Sequence, residues 1–201
     1  MLIDFSPTRQ GDLTLYDFAI HYTMGDLRQA TEAYFDTLFD LINQASDDDI
    51  VFAPSDPEAY DPFAKPGEEH IGWGLGHLVA HVTATLEEGA AYSSILARGL
   101  PYPREPRLRY ETPWQTIATQ EAALQRLAES RRICLSYLAT WPDTPFLDVL
   151  RDVSPRYIER NGPQNAPAAY LSALRHLDDH LDQFREVYRQ ARAAAEGQSA
   201  D

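Results

Sequence analysis

The sequence is poor in cationic side chains and contains neither a cysteine pair nor a long apolar run. Of its 201 residues, 17 are Lys or Arg and 31 are Asp or Glu, which gives a formal charge of −14 at pH 7. Because contacts to a phosphate backbone or to an anionic lipid leaflet need cations, this charge argues against nucleic acid and against a membrane surface as partners. No stretch of about 18 apolar residues is present, so we expect no segment that spans a bilayer.

The one cysteine, Cys134, excludes an intrachain disulfide framework and is typical of a reducing compartment. Its apolar neighbours predict that it packs as a small hydrophobic residue. The first residues lack the cationic and apolar segments of a secretory signal, so a cytoplasmic location is expected. The content of 44% apolar and 11% aromatic residues predicts one soluble globular domain over residues 1–201, with flexible ends at 1–12 and 196–201.

Clusters of prolines divide the chain into long stretches in which apolar residues recur at helical spacing. The pattern predicts four long helices at about 24–45, 72–98, 112–141 and 167–195, and a short leading helix at about 13–21. Loops should connect them, with the acidic run at 47–49 in a loop and a short extended piece near 146–153. The predicted fold is all-α, a four-helix bundle with long loops and a short extra N-terminal helix.

Four of the six histidines form two pairs at a spacing of four residues, His77 with His81 and His176 with His180. On a helix, such a pair lies on one face and can converge on one metal ion. In the last helix, His180 falls within the apolar arc and should point into the bundle. In a helical projection of the second long helix, one face lies roughly 120° from the centre of the aliphatic stripe and carries His77, His81 and Glu88. We expect this face to contact a neighbouring helix.

Core histidines whose nitrogens are hydrogen-bonded within the protein are the alternative interpretation, because buried polar groups usually find partners. Two pairs on different helices of a small bundle favour a metal, since one ion satisfies several imidazoles at once. Zinc is the default for such ligands, and nickel, iron and manganese also suit imidazole.

Other residues point to chemistry less specifically. A basic cluster before the third long helix could meet an anionic substrate or could form a solvated loop, and it consists of Arg104, Arg107 and Arg109. The tryptophans near helix ends are interpreted as core anchors, and they are Trp73, Trp114 and Trp141. No Ser-His-Asp order, glycine-rich phosphate loop or C-x-x-C motif is present, so those chemistries have no support.

At the histidines, the sequence resembles the DinB-like (damage-inducible) superfamily of four-helix metalloproteins over nearly its whole length. The resemblance is carried by W-G-L-G-H-L-V-A-H at 73–81 and by H-L-D-D-H-L-D-Q at 176–183. It implies His81, His176 and His180 as metal ligands. His77 stands where relatives commonly carry an acidic or neutral residue. It could be a fourth metal ligand or could lie just outside the coordination sphere. The same two roles are open to Glu88.

Three imidazoles leave one side of a divalent ion open, which is typical of a catalytic rather than a structural site. The resemblance implies a homodimer and an enzyme that acts on a small molecule, either a thiol-dependent transferase or a hydrolase. Because Cys134 is expected to be packed, a low-molecular-weight thiol cosubstrate would have to supply the nucleophile. The alternative is a non-catalytic, stress-related metal-binding or scaffold bundle. Asp182 departs from the glycine of many relatives and is expected to point outward.

Overall fold

The structure, a computed structural model of the chain, describes residues 2–60, 62 and 66–198. Eight α-helices are present in this part of the chain: α1 Ser6–Gln10, α2 Leu15–Ala19, α3 Met24–Ile42, α4 Asp47–Val51, α5 Leu75–Ala97, α6 Gln120–Leu138, α7 Pro155–Asn161 and α8 Ala166–Gln198. None of these helices combines the length and the apolar character that a membrane span requires. The prediction of an all-α bundle is confirmed.

The four long helices α3, α5, α6 and α8 surround one apolar core. Helix α5 packs mainly against α8 and α6, and α3 packs against α6 and α8. Each long helix contributes fully buried side chains at helical spacing, among them Phe35, Leu78, Leu127 and Leu177. Burying a side chain of this size contributes about 1.5–3 kcal/mol, so these stripes supply the main attraction between the four helices.

The acidic run at 47–49 belongs to a helix, so its assignment to a loop was wrong. Ser46 begins α4 with a capping box: its hydroxyl accepts from the Asp49 N–H, and the Asp49 carboxylate accepts from the Ser46 N–H. The three acids therefore lie at the N-terminal end of a new helix, where negative charge is favourable. The first long helix ends at Ile42, before this run.

The third predicted helix was too long at its N-terminal end. A single 3-10 turn covers Trp114–Thr116, and α6 begins only at Gln120, after Thr119 has capped it by accepting from the Ala122 N–H. The carbonyl of Ile117 lies against α5 at Gly76, where an added Cβ would come within 2.3 Å of it.

The segment before α8 also differs from the prediction. In place of an extended piece near 146–153, the described residues show one isolated antiparallel bridge, between Arg151 and Gln164. The following α7 was not predicted, although it begins at a Ser-Pro pair in which the Ser154 side chain caps the Tyr157 N–H. Its seven residues are too few for a periodicity signal.

The chain ends, expected to be flexible, are partly described. Phe5 is fully buried in the core and Arg9 pairs with Asp178 on α8, so much of the segment 2–12 packs on the bundle. Residues 196–198 continue α8. The mobility of the ends stays a prediction, and residues 1 and 199–201 lie outside the described residues.

Small side chains allow α5 and α8 to approach each other closely. A Cβ added at Gly89 would lie 2.4 Å from the Cβ of Ala173 and 3.1 Å from the carbonyl oxygen of Ala169. Ala173 lies on the turn before His176, so this close approach is on the same helix pair as the histidines.

We expect Gly89→Ala to lower the free energy of unfolding by about 1–3 kcal/mol, because the added methyl overpacks the α5–α8 contact. Gly25→Ala is the matched control: this helical glycine has its nearest contact at 3.6 Å, and alanine should be neutral or slightly stabilising there. Urea denaturation of both variants measures the difference. A Gly89→Ala variant as stable as the original protein would show that the close approach is not required.

Candidate metal centre

Three histidines from two helices meet at one side of the bundle. Helix α5 carries His81, and α8 carries His176 and His180 on consecutive turns of the same face. One ring nitrogen from each lies within 4.8 Å of the other two, and the Nε2 atoms of His81 and His176 are 2.9 Å apart. Because zinc holds imidazole nitrogens at about 2.0–2.1 Å, small movements of these rings would let one ion contact all three.

Hydrogen-bond partners on the outer nitrogens orient two of the rings. The Nδ1 atom of His180 lies 2.8 Å from Oε1 of Gln183, one turn further along α8, which leaves Nε2 for the interior of the cluster. The Nδ1 atom of His81 faces Arg109 and Glu111, so its Nε2 points towards α8. Partners of this kind fix both the tautomer and the direction of a metal-binding imidazole.

Burial favours the neutral form of the two α8 imidazoles. Burial, together with the neighbouring His180 and His81, lowers the pKa of His176 to about 3. Burial also lowers the pKa of His180 and outweighs the opposing hydrogen bond to Gln183. Because a metal binds only the neutral imidazole, His176 and His180 are already in the form that a metal requires near neutral pH.

Glu111 supplies a carboxylate next to the cluster. Burial opposes its ionisation, but interactions with His81 and Arg109 outweigh burial and lower the pKa of Glu111 to about 2. Sequence reasoning missed Glu111 because it lies on a loop, where helical periodicity gives no signal. The only available sign was its position two residues after Arg109 in the basic cluster.

The structure does not bring the two further candidates, His77 and Glu88, into the cluster. The ring of His77 stacks between those of Trp73 and Trp114, with centroids 4.6 and 5.0 Å away. The carboxylate of Glu88 binds Arg107 and accepts a hydrogen bond from a tyrosine hydroxyl on its own helix. We predicted that the α5 face with His77, His81 and Glu88 contacts a neighbouring helix. Of these three residues, His81 is the one that meets histidines of α8.

Two arginines of the basic cluster are paired with carboxylates. Arg107 pairs with Glu88 and Arg109 pairs with Glu111, while the backbone carbonyl of Arg104 accepts from Arg151. The Arg107–Glu88 pair attaches the loop to α5.

The remaining polar residues of the motif point away from the histidines. Asp179 pairs with Arg9 of α1. The Asp182 side chain is 94% exposed and pairs with Arg185, so it points outward as expected.

An aromatic wall and a small cavity border the cluster. The Trp73 ring, on the loop before α5, lies 4.5 Å from that of His81 and 5.9 Å from that of His180. A cavity of about 200 Å³ opens beside His180 and Gln183, with Tyr60 and Trp73 among its walls. The cluster therefore has room for a small molecule on one side.

The fold and the three-histidine cluster together define an all-α bundle with a possible metal site. A family model described as the DinB superfamily matches residues 19–184, and the chain belongs to that superfamily. A search of curated proteins and a search of solved structures each returned no match.

Acidification should destabilise the metal-free protein through His176. Below its ordinary pKa of 6.5, His176 takes up a proton in the unfolded chain, whereas in the folded chain its pKa is lowered to about 3. The unfolded state then binds more protons, so the free energy of unfolding falls with decreasing pH, by up to about 1.4 kcal/mol per pH unit from this group.

Urea denaturation of metal-free His176→Gln and of the original protein, between about pH 7 and pH 5, checks this effect while most carboxylates stay ionised. As the pH falls, the free energy of unfolding of the original protein should decrease more than that of His176→Gln. Parallel profiles would contradict the lowered pKa.

Proposed function

We propose that this chain is a metal-dependent enzyme that acts on a small molecule, with His81, His176 and His180 as the metal ligands. The observation that carries the proposal is the convergence of three half-buried imidazoles from two helices on one point. Structural zinc sites normally take all four ligands from the protein, so three protein ligands favour a site with a position open to a substrate.

The donor set supports a divalent ion, with zinc favoured and nickel, iron or manganese also compatible with imidazole. A divalent ion held there would supply Lewis acidity, which lowers the pKa of a coordinated water or thiol towards neutrality. Gln183 and Glu111 would orient His180 and His81, and Trp73 would limit the access of water to the cluster.

We favour thiol-dependent transfer over hydrolysis, with a low-molecular-weight thiol as cosubstrate. The chain's own thiol is unsuited to the reaction, because Cys134 is buried in the core on α6 and burial raises its pKa to about 12. The cavity of about 200 Å³ beside His180 suits a small molecule. The proposal also includes a homodimer in the cytoplasm, on the basis of the family resemblance and the single reduced cysteine.

A non-catalytic bundle is the second candidate, and one observation favours it. The Nε2 atoms of His81 and His176 lie within hydrogen-bond distance of each other, so the two imidazoles can satisfy one another without a metal. Metal binding and activity must therefore be measured separately.

Untagged protein loaded with zinc and then desalted should retain about one equivalent, because three imidazoles form one site. His180→Ala should lose this zinc, since two ligands remain. His21→Ala is the matched control, because this exposed histidine lies at the end of α2, outside the cluster, and its loss should leave the zinc content unchanged. Metal analysis gives the stoichiometry. Zinc-free protein after loading would remove the metal site from the account.

The zinc-loaded protein should transfer an electrophile to at least one of several low-molecular-weight thiols, and His180→Ala should lower that rate at least about 100-fold, as expected when a metal ligand is lost. Ester and amide hydrolysis are tested in parallel. Full zinc occupancy with no turnover in any assay would favour the non-catalytic bundle.

A further inference from the structure

A loop that leaves α5 turns back and runs along the same helix. Residues 99–113, here named the strap, begin at Gly99, whose φ of 87° reverses the chain direction. The strap residues Arg107, Leu108 and Arg109 then contact one stripe of α5, which consists of Tyr92, Glu88, Thr85 and His81. These residues are spaced by four, three and four positions, so they form a single face of the helix.

A buried carboxylate, that of Glu88, holds the strap at Arg107, some distance from His81. Glu88 is only 6% exposed, and Arg107 donates to both of its oxygens, with Nε 3.0 Å from Oε1. The hydroxyl of Tyr92 donates to Oε1 of Glu88 at 2.8 Å and accepts from the Leu108 N–H at 3.0 Å. A buried carboxylate is tolerated only when it is paired in this way, so Glu88 fixes the strap strongly at this point.

The part of the strap with Arg109 and Glu111 reaches His81. Arg109 donates to the Thr85 hydroxyl and to Glu111, and its Nη2 lies 3.3 Å from Nδ1 of His81. Oε2 of Glu111 lies 3.7 Å from the same Nδ1. The outer nitrogen of His81 therefore faces one possible donor and one possible acceptor, both on the strap.

The two partners favour opposite tautomers of His81. If Nδ1 accepts from Arg109, the ring proton is on Nε2, where it can donate to His176 but blocks a metal. If Nδ1 donates to Glu111, the lone pair of Nε2 is free for a metal. The balance between Arg109 and Glu111 thus decides whether His81 is ready to bind an ion.

We propose that the strap is a positioning element of the metal centre, in which Glu88 holds Arg107 and thereby places Glu111 to accept the Nδ1 proton of His81. The inference rests on the metal site proposed above. Glu111 and Glu88 are positioning residues here, since both act through His81. This role also accounts for a buried carboxylate that lies two turns from the histidine cluster.

Zinc affinity, measured by competition with a chromophoric chelator, tests the proposal. Glu111→Ala should weaken zinc binding by about 10–100-fold, the usual effect of removing the partner of a metal-binding imidazole. Glu111→Gln keeps an oxygen acceptor and should lose less. Glu88→Gln should weaken binding by about tenfold, and adding Arg107→Gln should cause little further loss, because the two residues act as one unit.

Asp182→Asn is the matched control. It removes one negative charge between His180 and Gln183, but its side chain is 94% exposed and bound to Arg185, so zinc affinity should change less than about twofold. A comparable loss in this variant would mean that Glu111 and Glu88 act through net charge, which would overturn the positioning role.

The outcomes separate this inference from the proposed function. If the original protein binds no zinc, the proposed function fails. If it binds zinc, His180→Ala does not, and Glu111→Ala and Glu88→Gln bind as tightly as the original, the strap proposal is overturned while the metal site stands. If Glu88 has only a structural role, Glu88→Gln should lower the free energy of unfolding of the metal-free protein and leave the zinc affinity unchanged. If Glu88→Gln does not fold, the Glu111→Ala and Glu111→Gln pair on the loop decides the question.

Discussion

The close packing of α5 on α8 is the constraint on which the site depends. At Gly89 the two helices are separated by little more than the side chain of Ala173. A bulkier residue at this crossing would move the helices apart, and His81 would then stand too far from His176 and His180 to share an ion with them. The apolar core sets the general arrangement of the bundle, and this contact between small residues allows α5 and α8 to lie close together.

The chemistry of the cluster also depends on which ring nitrogens of its histidines carry protons. Burial keeps His176 and His180 neutral, and Gln183 orients the ring of His180. Only His81 has two competing partners on its outer nitrogen, and both come from the strap. The same three rings can therefore form a hydrogen-bonded histidine network or a metal site, and we propose that the strap along α5 determines which of the two is favoured.

Helical periodicity was sufficient to predict the bundle and to place His176 and His180 on one face of the last helix, because the spacing of four residues and the apolar arc are local properties of that helix. The choice of His81 as their partner came from the resemblance to the DinB-like superfamily. Periodicity could not predict the partners of those histidines. Glu111 reaches His81 from a loop, and His77 is enclosed by Trp114, which belongs to a 3-10 turn far along the chain. The helices α4 and α7 were missed because their five and seven residues are shorter than any useful periodicity window.

X-ray absorption spectroscopy at the zinc edge of zinc-loaded protein tests the central claim most directly, because it counts the imidazoles bound to the ion. The account predicts three imidazole nitrogens at about 2.0–2.1 Å, together with one oxygen ligand from solvent. A spectrum dominated by oxygen ligands and lacking imidazole scattering would place any bound zinc elsewhere on this acidic chain and would contradict the account.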